Sequence, residues 1–326
     1  ARALACPPEK IVFNGPAKTG PDLETALNEG ALVVVDSFDE MATVRALAAT
    51  AGKSFRIGLR IGLEPRESPW SRFGFTAETG EAVLAMRRAA TSGLAIEMLH
   101  NHGGTDRTDP APYARAAESL GRLAQTAAEL GHEVTRIDLG GGFATGVAPS
   151  AYAEPVLAVL DRVRERTGRA MGLVIEPGRA IVDPAVVLLA TVMAVKAGAR
   201  RAVTLDAGIN LLPPAGRARP RTVRVLASKA LNQAGLPTDV FGPLCMPQDL
   251  VAEGAALPPL NPGDIVAIEE TGAYTISQSM QFIAPRPAVV LMSAEGEAPI
   301  RRREDWRDVF ALDALPDRLW PKGAEF

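Results

Sequence analysis

Apolar residues in the first half of the chain cluster in short continuous runs, at 11–13, 32–36, 58–63, 94–100, 134–139 and 172–176. Such runs, continuous rather than alternating, are typical of parallel strands buried on both faces. Between them, residues 78–90 carry apolar positions at helical spacing, and residues 110–130 form a longer, Ala-rich stretch largely free of internal breakers. The alternation predicts βαβ units, arranged as a barrel or as an open doubly wound sheet. Six strands are two short of a closed (β/α)8 barrel, and an open sheet needs no missing pieces, so the count alone leaves both open. The strand ends favour the barrel. Asn14-Gly15-Pro16, Asp36-Ser37, the HNHGGT segment at 100–105, Gly140-Gly141-Gly142 and Glu176-Pro177-Gly178-Arg179 each follow a predicted strand. A barrel builds its chemistry at the C-terminal ends of successive strands.

Beyond about residue 183 the texture changes. Residues 186–195, 222–226, 264–269 and 288–292 read as short strands, Pro and Gly punctuate 212–220 and 257–263, and long helical periodicity is sparse. A polar, charged patch covers 295–308. The expected organisation is α/β: a strand–helix unit over 1–182, with a barrel favoured by its strand ends, then a mainly-β domain over 183–326.

Bulk properties exclude several classes. The 326 residues are 47% hydrophobic, enough for a sizeable core. A net charge of −3 gives no basic footprint for nucleic acid. No apolar run approaches the roughly 18 residues of a membrane span, and residues 1–10 hold no apolar signal core. The two cysteines, Cys6 and Cys245, lie far apart. A disulfide framework is not expected, and the cytoplasm is the default compartment.

Candidate chemistry sits at the strand ends. Gly140, Gly141 and Gly142 would let backbone N–H groups approach a phosphate, although a tight turn is by itself the plainer explanation. Arg179 could grip a phosphate with its planar fork, and Glu176 could face a cofactor or pair with Arg179 in an ordinary surface turn. Two of the three histidines, His100 and His102, share one strand end. A zinc centre lacks acceptable further ligands nearby. A ring stacked on a planar cofactor suits His102, and a hydrogen-bonded core histidine suits His100. Cys245 lies in a constrained loop, where buried packing is the plainer alternative, and Tyr274 follows a Gly-Ala turn.

In order along the chain, IVFNGPAK (11–18), VDSFDE (35–40), SRFGF (71–75), HGGT (102–105), DLGGGF (138–143), EPGRAI (176–181), GPLCMPQD (242–249), GDIV (263–266) and TGAY (271–274) resemble the diaminopimelate and ornithine decarboxylase family. Its members are pyridoxal 5′-phosphate (PLP) enzymes with an alanine-racemase-like barrel and a C-terminal β domain. The resemblance implies that His102 stacks on the PLP ring, and that the HGGT segment ending in Thr105 belongs to the cofactor site. Gly140, Gly141, Gly142, Arg179 and Tyr274 should hold the phosphate. Glu176 should pair with the pyridine nitrogen, keeping the ring an electron sink for the carbanion left by CO2 loss. Cys245 should reach the partner subunit's site as proton donor, which makes the family homodimers with shared active sites. Met246 and Asp249 fall at or near the substrate position.

The departures matter as much. The family's Schiff-base lysine, in an aromatic-Ala-x-Lys-Ala-Asn-like motif on the first barrel strand, has no counterpart among Lys10, Lys18, Lys53, Lys196, Lys229 and Lys322. The resemblance implies that the chain lacks its first barrel strands, so that 1–182 is a partial TIM-type (β/α)8 barrel. Met246 stands where diamino-acid decarboxylases have an acid that contacts the distal amine, and methionine cannot pair with an ammonium. Arg72 replaces the usual lysine before Phe73-Gly74, and Asp206-Ala207-Gly208 replaces Asp-Gly-Gly. The expected function is therefore a PLP-dependent decarboxylase acting on an amino acid other than a simple diamino acid. A racemase on the same barrel is opposed by the Cys245 loop and the His102 segment. A non-catalytic homologue acting by partner binding is supported by the missing lysine and opposed by the complete cofactor cradle.

Overall fold

The computed structural model describes residues 1–63, 71–198, 200–212, 221–227, 232–314, 316 and 318. Most of the Pro- and Gly-rich stretch at 212–220, together with Lys229 and Lys322, lies outside these residues. The chain divides into two compact units, Ala1–Ala180 and Ile181–Phe326.

In the first unit, strands and helices alternate as expected: β1 (Val12–Phe13), α1 (Gly20–Glu29), β2 (Leu32–Val35), α2 (Phe38–Ala51), β3 (Arg56–Gly62), β4 (Phe75–Thr76), α3 (Glu81–Thr91), β5 (Ala95–His100), α4 (Ala111–Glu129), β6 (Arg136–Asp138), α5 (Pro149–Thr167) and β7 (Gly172–Val174). The sheet order is β1-β2-β3-β5-β6-β7, every neighbour parallel, with β4 paired to β3. A doubly wound sheet reverses its strand order at a switch point. This order never reverses, so the crossover helices share one face, as in a barrel. Topology thus decides what the strand count left open.

The continuous apolar runs are explained by burial on both faces. Val33, Val35, Ile57, Leu59, Leu99 and Ile137 join the core with helix residues such as Leu23, Val44, Met86, Leu120 and Val159. The alternate positions Leu32, Val34 and Met98 cluster on the other face with Val12 and Val174. Asp36-Ser37, a polar strand end in the sequence, is also a helix start: Ser37 Oγ accepts the Glu40 N–H at 3.2 Å, and α2 ends at Gly52 with φ 61°.

The second unit carries one six-stranded sheet, order β10-β13-β8-β9-β11-β12, and the hairpin β14–β15. Its strands are β8 (Leu188–Ala197), β9 (Arg201–Leu205), β10 (Val223–Ala227), β11 (Leu236–Phe241), β12 (Leu250–Leu257), β13 (Ile265–Ile268), β14 (Val289–Ser293) and β15 (Gly296–Arg301). Four of these, β9, β11, β12 and β15, are not evident as apolar runs. Pro237 interrupts β11, Gly254 sits at φ 60° within β12, and every residue of β15 is exposed. No helix among the described residues is long and apolar enough to cross a membrane.

Candidate cofactor and substrate site

Parallel strands deliver their C-terminal residues to one end of the sheet, and that end collects the polar side chains. Arg60 pairs in register with His100, and His100 with Asp138. Asn14 follows β1, at one edge of the sheet, and Glu176 follows β7, at the other. Asn14 Oδ1 accepts the Gly15 N–H at 2.8 Å, which fixes the amide orientation. Its Nδ2 then donates to His100 Nε2 at 2.9 Å and Glu176 Oε1 at 3.2 Å. A bond between the two edge strands requires the sheet to curl.

His100 is fully buried, and burial, with the charges of Arg60, His102 and Lys18, pushes its pKa down to about 3. It is neutral, with Nε2 accepting from Asn14 and the proton on Nδ1, so its 3.6 Å approach to Glu176 is not an ion pair. This matches the hydrogen-bonded core histidine expected from the sequence. Asp138 is also fully buried, and burial, assisted by the Glu176 charge, raises its pKa well above the usual carboxylate range. Arg60 is buried, its Nη1 3.5 Å from Asp36 Oδ1 and its guanidinium 4.4 Å above the Phe73 ring. The sequence assigned no individual role to Asn14, Arg60 or Asp138. The available signal for Arg60 was a cation inside an otherwise apolar run.

His102 and the glycines interlock. The Gly141 N–H donates to His102 Nδ1 at 3.1 Å. Gly140 and Gly142 have φ of 64° and 89°. A Cβ on Gly142 would lie 2.0 Å from Gly104 O, and one on Gly141 would lie 2.5 Å from Glu176 O. Only glycine fits, because the HGGT loop and the strand end at Glu176 close directly on the backbone. Tyr113 Oη donates to Gly141 O at 3.0 Å and the Arg107 N–H to Gly142 O at 2.9 Å. Partial desolvation and the Arg60 charge hold the His102 pKa below the usual histidine range. Thr105 is exposed on the same loop, and Arg179 is buried at the start of the helical turn Arg179–Val182.

In the second unit, Cys245 is an exposed free thiol and Met246 is half-buried. Asp249, placed by the sequence among the substrate contacts, takes a different position. It is 1% exposed, its Oδ1 accepting the Ile209 N–H and its Oδ2 the Leu244 N–H, both at 2.7 Å. Cβ atoms on Gly208 and Gly242 would come within 2.2 and 2.4 Å of this carboxylate. Asp249 therefore staples the 242–249 loop to the 208–210 turn, and it faces backbone rather than an opening. Tyr274, 45% exposed, adopts φ 64° after Ala273, whose N–H donates to the buried Asp183 Oδ1 at 2.8 Å.

Comparison with known proteins fits this arrangement. Residues 1–183 match the pyridoxal-binding domain of pyridoxal-dependent decarboxylases. The chain belongs to the pyridoxal-dependent decarboxylase family. It is similar to the diaminopimelate decarboxylases of Archaeoglobus fulgidus, at 30% identity over 95% of this chain and 78% of the relative, and of Methanothermobacter thermautotrophicus, at 32% over 96% and 76%. The crystal structure of the diaminopimelate decarboxylase from M. jannaschii superposes with a TM-score of 0.88 at 26% identity, covering 98% of this chain and 77% of that one.

Membership makes the protein a PLP-dependent amino-acid decarboxylase, and the residues present fit the cofactor. The glycine turn admits no Cβ, the buried Arg179 offers a fixed cation for a phosphate, and Glu176 offers a carboxylate oriented by Asn14. Of the residues that the sequence nominated, the fold gathers His102, Gly140, Gly141, Gly142 and Glu176 in the first unit.

Proposed function

We propose that this decarboxylase acts on an amino acid whose far end is neutral, acidic or attached to a carrier, rather than on lysine, ornithine or diaminopimelate. Asp249 carries the reading. Met246 occupies the position where related diamino-acid decarboxylases have an acid, and Asp249, the only carboxylate in the 242–249 loop, is buried with both oxygens held by backbone N–H groups. An ammonium brought into a desolvated site without a charge partner costs several kcal/mol. The relatives are named diaminopimelate decarboxylase, so the proposal sets this chain's substrate apart from theirs.

Roles follow the same reading. His102 stacks on the ring, and Gly140, Gly141 and Gly142, with Arg179 and Tyr274, hold the phosphate, beside Thr105. Glu176 keeps the pyridine nitrogen protonated. When bound, PLP supplies an electron sink for the pair released as the Cα–carboxylate bond breaks. Cys245 delivers a proton to the substrate's Cα in the partner subunit's site, so the working form is a homodimer. Residues 1–182 hold the cofactor and 183–326 supply Cys245 and Tyr274. Both cysteines are free thiols, in keeping with a cytoplasmic setting.

The deciding experiment is a substrate panel on the full-length protein. A kcat/KM for lysine, ornithine or diaminopimelate above that of every non-basic amino acid would refute the proposal. Met246→Glu should move the preference toward diamino acids.

A further inference from the structure

We propose that Asp138 is a positioning residue that stays a neutral acid and donates its carboxyl hydrogen to Glu176. Asp138 ends β6, is fully buried, and accepts the Gly140 N–H through Oδ1 at 2.8 Å. Its Oδ2 is buried with no hydrogen-bond partner. The charged and titratable groups around it make no hydrogen bond to that oxygen. His100, from β5, is neutral and its Nε2 is engaged by Asn14. Arg136, on β6 itself, is held by Glu97. The remaining neighbour is a second carboxylate: one donor or acceptor atom each from His100, Asp138 and Glu176 lie within 4.8 Å of one another.

At this spacing, and with Asp138 fully buried, ionising both carboxylates is strongly disfavoured. A single proton resolves both difficulties, by removing one charge and by giving Oδ2 a hydrogen to direct at Glu176. It belongs on Asp138, because Asp138 is the fully buried member, while Glu176 is exposed and has the Asn14 amide to stabilise its charge. Burial and the Glu176 charge both raise the proton affinity of Asp138 in the same direction. The use of this hydrogen rests on the cofactor role proposed for Glu176. An O–H bond from behind fixes the rotamer of the carboxylate that is to face the pyridine nitrogen.

Infrared spectroscopy of 13C-aspartate-labelled protein without PLP tests the proton. At about pH 6, the wild type should show a protonated-carboxyl C=O band that shifts in D2O, fades as the pH rises toward about 9, and is missing from Asp138→Asn. Identical wild-type and variant spectra in that region would overturn the assignment. Equilibrium PLP binding then tests the positioning role. Asp138→Asn, whose amide still donates, should bind within about threefold of wild type, whereas Asp138→Leu should bind about tenfold or more weakly while melting cooperatively. Equal weakening in both variants, or no weakening in either, would overturn the donor role. A wild type that binds no PLP would instead sink the cofactor reading and leave the infrared result to decide the proton.

Discussion

Asn14 and Glu176 follow opposite edge strands of the parallel sheet, yet Asn14 Nδ2 lies 3.2 Å from Glu176 Oε1. One amide thus orients the carboxylate assigned to the cofactor ring and also holds the buried His100 in a single tautomer.

From this placement, Glu176→Ala in the full-length enzyme should slow turnover roughly 100-fold or more, because the pyridine nitrogen loses its partner. Arg179→Ala should instead weaken PLP affinity more than turnover at saturating cofactor. Steady-state kinetics alongside PLP titration separate the two effects, and wild-type behaviour in both variants would contradict the assigned roles.

Lys18 should not bond covalently to PLP. Its side chain is 1% exposed, with Nζ 2.8 Å from Glu40 Oε1 and donating to Gly15 O, while the other Glu40 oxygen accepts the Asp36 N–H. An amine so engaged is a structural tie between the β1 end and α2. Borohydride reduction with PLP followed by peptide mapping should yield no stoichiometric pyridoxyl-lysine within residues 1–326. Recovery of one at Lys18 would refute this.

Acid should destabilise the fold through His100. Its folded pKa of about 3 lies below the ordinary value of 6.5, so the unfolded chain binds more protons between those limits. The His100 contribution to stability is therefore intact above pH ~6.5 and declines as the pH falls, by up to ~1.4 kcal/mol per pH unit. Urea melts from about pH 4.5 to 8 should show a steeper acid loss for wild type than for His100→Gln; parallel curves would argue against the buried neutral imidazole.

A shared site predicts complementation. Cys245→Ala and His102→Ala should each be poorly active, and mixed dimers should regain part of the activity because one of their two sites is intact. No recovery after confirmed subunit exchange would rule out the composite arrangement.

The parallel sheet was legible because its strands are apolar on both faces: Val33 and Val34 point into different clusters, and both are fully buried. The motif order also grouped His102, the three glycines and Glu176. The second unit was harder to read, since β15 is wholly exposed and β11 contains a proline, so neither carries a burial pattern. The inward turn of Asp249 was hidden for a related reason. A sequence shows which residues share a loop, but not that Ile209, 40 positions earlier, supplies the N–H that turns the carboxylate inward. Asp138 was quoted within a motif, yet its importance comes from a neighbour on the next strand.

The contact that forbids a side chain at Gly142 also constrains how the protein can be redesigned. The carbonyl of Gly104 sits where that side chain would begin, and the Gly141 amide is bonded to the His102 ring. The two loops are thus a single cassette, shared between the end of β5 and the end of β6. Grafting either onto another scaffold, or diversifying one in a library while the other is held constant, should mostly return misfolded protein. Variants randomised in both loops together are the ones from which new cofactor geometries can be selected.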